Sequence, residues 1–243
     1  MTDEAENGGK LGDEAAEPGE VAAVKRPRRA IRPTLILVTD PTYADDRVLE
    51  VVGACTWALP EGSFAVQLRD KKKDPKHFLA YAEKLRAATA PSGGPKALLL
   101  VNGNAAVAKQ VGADGVHLGG SAMSVGEARS VVGEEAFITI AAHSDQAVKL
   151  GAQDGADGAL VSTIFASPGK SMGRGVDALR TARAVAGPDF AIYALGGVER
   201  ANAAECVLAG ADGVAAIRAL LLASDPAAEA RAIYDSLHSL HSL

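Results

Sequence analysis

From residue 34 onward the chain alternates short, uninterrupted apolar runs with longer stretches in which apolar residues recur at a helical interval. The runs cover residues 34–39, 63–68, 97–101, 115–118, 136–141, 158–162, 190–194 and 213–217. A strand of a parallel sheet is buried on both faces, so it reads as a continuous apolar run rather than as an alternation. Between runs, Val48, Val51, Val52 and Cys55 fall at i, i+3, i+4 and i+7, and Phe78, Tyr81, Ala82 and Leu85 repeat the spacing. That interval places each set on one face of a helix, ready to pack on a sheet.

Strands that alternate with helices make parallel sheets with helical crossovers. Eight such units in about 210 residues predict an α/β fold of the closed (β/α)8 kind, a TIM barrel. An open doubly wound sheet is the competing architecture. It would have fewer strands and a Gly-rich turn after the first, where this chain has Thr39-Asp40-Pro41. The tetrapeptide Gly-Ala-Asp-Gly recurs at 112–115, 155–158 and 210–213, each time before an even-numbered run. Gly suits a helix C-terminus and Asp a turn.

Residues 1–33 break the pattern. They are rich in Glu, Gly, Ala and Pro and close on the basic cluster Lys25, Arg26, Arg28, Arg29 and Arg32. Too little apolar surface is present to offset ordering entropy, so a disordered polar tail is expected at 1–33, ahead of a barrel at 34–243. The basic cluster reads as a solvated charge run in preference to a partner contact.

Composition then narrows the partners. The 243 residues are 48% hydrophobic and 23% charged, enough for one sizeable core. A net charge of −5 gives no overall attraction to nucleic acid or to an anionic membrane. No run approaches the roughly 18 apolar residues of a membrane-spanning helix. Cys55 and Cys206 stand far apart and the N-terminus lacks a secretory pattern, so a cytoplasmic protein with reduced thiols is expected. A homo-oligomer is compatible with the sequence.

In a barrel of this kind the loops after the strands build the site. After the second run, alternation turns Gln67, Arg69 and Lys71 to one side and Leu68 to the other. An amide with two permanent cations suits a phosphorylated ligand; an interior ion pair of Arg69 with Asp70 is the alternative. Asn102-Gly103-Asn104 offers a turn with side-chain amides after the third run. His117, within the fourth run, reads as a hydrogen-bonded structural residue. His143, at the end of the fifth and ahead of an N-capping Ser144-Asp145, is the best acid/base candidate, with a purely structural cap as the alternative. Residues 166–175, rich in Gly and Ser, read as a lid whose Lys170 closes on an anion, or else as an ordinary solvated loop. Gly196 and Gly197 after the seventh run, with Ile217 and Arg218 after the eighth, occupy the recurrent phosphate site of the architecture. His238 and His241, three apart near the C-terminus, read as a frayed helix end rather than a metal site.

Taken in order, Leu37-Val38-Thr39-Asp40, Val66-Gln67-Leu68-Arg69-Asp70-Lys71, the 112–119 stretch with His117-Leu118-Gly119, the 170–175 lid, Gly196-Gly197 and the 209–214 stretch resemble the thiamin phosphate synthase and TenI family. The resemblance implies a thiamin-biosynthesis barrel that holds thiazole phosphate near Gly197 and the residues after the eighth strand. In the synthase branch it further implies that Gln67, Arg69, Lys71, Asn102 and Lys170 grip a pyrimidine pyrophosphate with Mg2+. The synthases carry an Asp after the Asn and another beyond the His-Leu-Gly stretch; here those positions are Gly103 and Ala122, and Mg2+ favours carboxylates and phosphate oxygens. A synthase Ser is replaced by Ala141 and another by Arg218. These departures resemble the TenI branch, which includes thiazole tautomerases that move a proton without a metal. The expectation is therefore a metal-independent isomerase with His143 as general acid/base and no cofactor. The first alternative is a synthase, a transferase that uses Mg2+; the second is a retired barrel that only binds thiamin intermediates.

Overall fold

The computed structural model describes residues 32–70, 74–120, 123–167 and 172–239. Eight parallel strands close into one barrel in sequence order, with β1 (Leu35–Val38) paired to both β2 (Phe64–Leu68) and β8 (Gly213–Ala216). Between them stand β3 (Leu98–Asn102), β4 (Gly115–Leu118), β5 (Phe137–Ala142), β6 (Gly158–Ser162) and β7 (Ala191–Leu195). Each matches a predicted run to within a residue or so. The eighth ends one residue early, at Ala216, which leaves Ile217 in the loop. The predicted tail at 1–33 lies outside the described residues but for its last two.

Helices α1 (Asp45–Ala58), α2 (Pro75–Thr89), α3 (Ala105–Gln110), α4 (Val125–Val132), α5 (Asp145–Gln153), α6 (Asp177–Ala186) and α7 (Arg200–Leu208) follow the first seven strands. The short α8 (Arg218–Leu221) and then α9 (Pro226–His238) follow the eighth. Among the described residues no helix is long and apolar enough to cross a membrane. The four apolar residues spaced along α1 and the four along α2 are buried, as their interval predicts. They join one core between sheet and helices, which also takes Leu68. A second, smaller core fills the barrel itself, built on Ile36, Leu100, Phe137, Leu160 and Tyr193. Phe137 meets Tyr193 edge to face, ring centroids 6.5 Å apart.

The Gly-Ala-Asp-Gly repeat does more than turn the chain. At each copy the first Gly takes a positive φ, 62° at Gly112, 84° at Gly155 and 98° at Gly210, which favours glycine. The last Gly meets a neighbouring backbone: a Cβ on Gly115 would lie 1.9 Å from the Phe137 carbonyl oxygen. The Asp carboxylate accepts the N–H of the strand behind it: Leu99 to Asp114 at 2.8 Å, Ile138 to Asp157 at 2.7 Å, Ile192 to Asp212 at 2.8 Å. An Arg from the preceding even-numbered helix then bridges that carboxylate and the carbonyl of the motif's first Gly. Arg86 joins Asp114 to Gly112, Arg129 joins Asp157 to Gly155, and Arg183 joins Asp212 to Gly210. Three identical clamps thus tie the lower end of the barrel. At the fourth corner Ser63 stands where the others have Asp, and its backbone carbonyl takes the N–H groups of Thr34 and Leu35.

Candidate functional site

The opposite end, where the strands finish, opens into a cavity of about 740 Å3. Gln67, Arg69, Asp70, Asn102, His117 and His143 line one side, and Gly196, Gly197, Ile217 and Arg218 another. Each is carried there by a strand end or by the residue or two after it. The structure therefore brings together every site residue predicted from sequence that falls among those described. Lys71, Lys170 and Ala122 lie outside the described residues.

Local bonds fix the β2 wall. Thr39, buried at the end of β1, accepts the Arg69 N–H at 2.9 Å and donates its hydroxyl to the Arg69 carbonyl at 3.1 Å. This two-way bond holds the backbone of Arg69 where β2 leaves the barrel. Both Arg69 and Asp70 line the mouth. Two residues before Arg69 and on the same face, Gln67 is 2% exposed and its Nε2 donates to Asn102 Oδ1 at 3.5 Å. The Gln67 Oε1 is buried with no hydrogen-bond partner in the structure. A buried unpaired carbonyl is costly, so a ligand donor would satisfy it. Asn104, by contrast, turns away from the mouth and caps α3 through the Val107 N–H at 3.0 Å.

His117 holds the place expected of a structural histidine. Its Nδ1 lies 3.0 Å from Thr139 Oγ1, on the neighbouring strand. Burial, and then the Arg69 charge, press its pKa down to about 4, so the ring is neutral near pH 7. His143 sits higher, exposed at the rim. Its Nδ1 lies 3.1 Å from Ser162 Oγ and 3.3 Å from the Ser162 carbonyl oxygen, while Ser144 caps α5 by accepting the Ala147 N–H at 3.2 Å. The cap belongs to Ser144, which leaves His143 free for the cavity.

The β7 turn is built for close approach. Gly196 and Gly197 have φ of 104° and 62°, and a Cβ on them would lie 2.5 Å from Thr163 Cγ2 and 2.5 Å from the Ala166 carbonyl oxygen, respectively. Asn202 of α7 grips the turn, donating to the Gly197 carbonyl at 3.0 Å and accepting the Glu199 N–H at 2.8 Å. A bare backbone beside Arg218 is a fitting seat for phosphate oxygens. The base of the predicted lid is anchored rather than loose: Arg174 and Gly175 donate backbone N–H groups to Thr163 and Ile164, and Arg174 pairs with Asp145 at 3.0 Å.

Sequence reading missed three contributors: Asp40 in the lining, Thr39 behind Arg69, and Ser162 against His143. A common signal marks two of them, since Thr39 and Ser162 are the hydroxyl residues that close otherwise apolar runs. His238 is the last residue of α9, where it bonds the Tyr234 carbonyl at 2.7 Å and packs against the Tyr234 ring rather than fraying; His241 lies outside the described residues.

A protein-family profile described as thiamine monophosphate synthase matches residues 35–220. The chain belongs to the thiamine monophosphate synthase family. Relatives include the thiamine-phosphate synthase of Methanoculleus marisnigri, 36% identical over 84% of this chain and 94% of that protein. That of Albidiferax ferrireducens is 40% identical over 79% and 86%. Among solved structures, a thiamine phosphate pyrophosphorylase from Pyrococcus furiosus superposes with a TM-score of 0.70 at 24% identity, covering 85% of this chain and 96% of that one. The 3-hexulose-6-phosphate synthase of Salmonella typhimurium does so at 0.65 and 19%, covering 85% and 99%, which shows a shared fold. The synthase family, not an isomerase, is what these relatives bear by name, and they favour the transferase alternative over the isomerase expected from the departures at Gly103 and Ala122.

Proposed function

We propose that the barrel acts as a thiamine-phosphate synthase, joining hydroxymethylpyrimidine pyrophosphate to thiazole phosphate with release of pyrophosphate. The carrying observation is that one cavity of about 740 Å3 is lined by two separate sets of groups whose chemistry suits anions. Arg69, with Gln67 and Asn102, forms the first; Gly196, Gly197, Ile217 and Arg218 form the second, with β1 between them. One phosphorylated ligand needs one such set. Two substrates need both.

In this reading the glycine turn and Arg218 hold the thiazole phosphate, and Arg69 holds the pyrophosphate, helped by Lys71 and Lys170 as their positions in the sequence suggest. The bond from the pyrimidine methylene to the pyrophosphate oxygen breaks, and the thiazole nitrogen supplies the electron pair for the new C–N bond. Negative charge grows on the leaving pyrophosphate, so a fixed guanidinium favours the transition state over the ground state. The orphaned Gln67 Oε1 orients a ring by accepting from its amino group.

The described residues fit a protein-held Mg2+ poorly, because the carboxylates in the lining, Asp40, Asp70 and Glu199, stand on three different loops. Gly103 has no side chain where the synthases have a carboxylate, and Asp40 spends Oδ1 on the N–H and hydroxyl of Thr42. Among the described residues no group of three or more His, Cys, Asp or Glu is placed to hold a metal ion. That same feature supports a second reading, a thiazole tautomerase in which His143, at the rim, transfers a proton without a metal.

The purified protein offered thiazole phosphate plus the pyrimidine pyrophosphate, and separately thiazole carboxylate phosphate, each with and without Mg2+, decides between them. Thiamin phosphate formation is expected. Aromatised thiazole alone would replace this reading with the second, and binding without turnover would make the barrel a retired one.

A further inference from the structure

His143 Nδ1 faces two oxygens of one residue, Ser162 Oγ at 3.1 Å and the Ser162 backbone carbonyl at 3.3 Å. A carbonyl oxygen can only accept a hydrogen bond, whereas a hydroxyl can accept or donate. If Nδ1 were bare, its lone pair would point at the carbonyl lone pairs. If Nδ1 carries the proton, both oxygens accept from it. Among the described residues Nε2 has no hydrogen-bond partner.

We propose that Ser162 is a positioning residue that fixes His143 as the Nδ1–H tautomer, so that Nε2 presents its lone pair to the substrate. Ser162 is 7% exposed and closes β6, a rigid strand, whereas His143 is exposed one residue beyond the end of β5. The buried partner therefore orients the exposed one. In water a free neutral imidazole favours the opposite tautomer, with the proton on Nε2, so the environment must select the form proposed. Nδ1 remains a donor whether the ring is neutral or charged, and any proton that His143 takes from a substrate lodges on Nε2 and returns from it. The assignment rests on the mouth being the substrate site, but the tautomer itself needs no substrate to be observed.

The test is nitrogen-15 NMR of the ligand-free protein, His143 being assigned by the signal lost in His143→Asn. Nδ1 in the pyrrole-like range and Nε2 in the pyridine-like range are expected, with Ser162→Ala drifting toward the reverse and Ser162→Thr holding the wild-type pattern. Nε2 protonated in the wild type, or shifts unmoved in Ser162→Ala, would overturn the proposal. Where the reaction followed is proton transfer on thiazole carboxylate phosphate, Ser162→Ala should lower kcat about tenfold with KM little changed, a fraction of the ~10²–10⁴-fold a positioned acid or base contributes. Ser162→Thr should restore it. An unchanged kcat beside a shifted tautomer would leave Ser162 as a structural partner only and sink the positioning role. Failure of the synthase assay with the tautomer intact would overturn the reaction assigned above and not this inference.

Discussion

The two ends of this barrel are built on opposite rules. At the lower end one device is repeated three times, and in each copy the charge of an Asp is met by an Arg and by a backbone N–H. At the mouth the described loops share no such repeat, and among the described residues groups capable of binding are left unmatched: the Gln67 oxygen and the His143 Nε2, beside Arg69 in the lining. Apart from the Arg129 Nε, which is buried without a hydrogen-bond partner, the clamps of the lower end meet their polar needs internally and contribute stability. The mouth holds its polar needs open, and a ligand meets them.

If that division is right, the largest effect comes from breaking the most buried clamp. In the Arg129–Asp157 pair the side chains are 4% and 8% exposed. Asp157→Ala strands a buried guanidinium and should cost about 3–5 kcal/mol, read as a lower urea midpoint, while ligand affinity of the folded fraction is unchanged. Asp114→Ala, whose carboxylate is 41% exposed, should cost clearly less, and equal losses would contradict the burial argument.

A pH effect of similar size crosses from stability to site. With its pKa near 4 in the fold and about 6.5 unfolded, His117 takes up a proton first in the unfolded chain. Its contribution is therefore complete above pH 6.5 and is lost as pH falls toward 4, by about 3 kcal/mol at most. Urea midpoints of wild type and His117→Gln measured between pH 7 and 4 should converge in that window. Parallel curves would deny the shift.

Next come the mouth cations. Arg218→Ala should weaken thiazole phosphate binding about tenfold to a hundredfold, the ~1.5–3 kcal/mol of a charge-assisted bond, and leave the urea midpoint within about 0.5 kcal/mol. Calorimetric titration and denaturation on the same sample would expose any mixing of the two roles. The smallest effect belongs to Gly103→Asp. Its φ of 69° strains a side chain, but Asp tolerates that region better than most residues and nothing lies within 4 Å of the added Cβ. A loss of about 1 kcal/mol and a gain in Mg2+ dependence of thiamin phosphate formation are expected; activity indifferent to Mg2+ would show that a carboxylate there holds no metal.

The lower end and the mouth also differed in how far they could be read. Parallel strands buried on both faces gave runs such as 158–162 that needed no partner to be recognised, and the count of eight closed the barrel. The clamps were half visible: the tetrapeptide repeated, but the role of Asp114, Asp157 and Asp212 depends on Arg86, Arg129 and Arg183, each 28 or 29 residues away. Gln67, Arg69 and His143 were legible because they follow apolar runs. Ser162 and Thr39 were not, because their partners sit on the next strand and only the register of β5 with β6, and of β1 with β2, brings them together.

The corner without a clamp has a bearing on how the molecule opens. Three quarters of the ring are cross-linked by side chains at their base, whereas β1 is held there by the Ser63 carbonyl and by Thr34, whose own carbonyl accepts from Val214. Among the described residues the strand seam itself is thus zipped by backbone bonds, while Arg47 of α1 reaches across outside it to the Leu221 and Ala223 carbonyls. On this account the barrel breathes as a C-shaped sheet parting beside β1, next to the wall that carries Arg69, and amide exchange should be fastest along that edge.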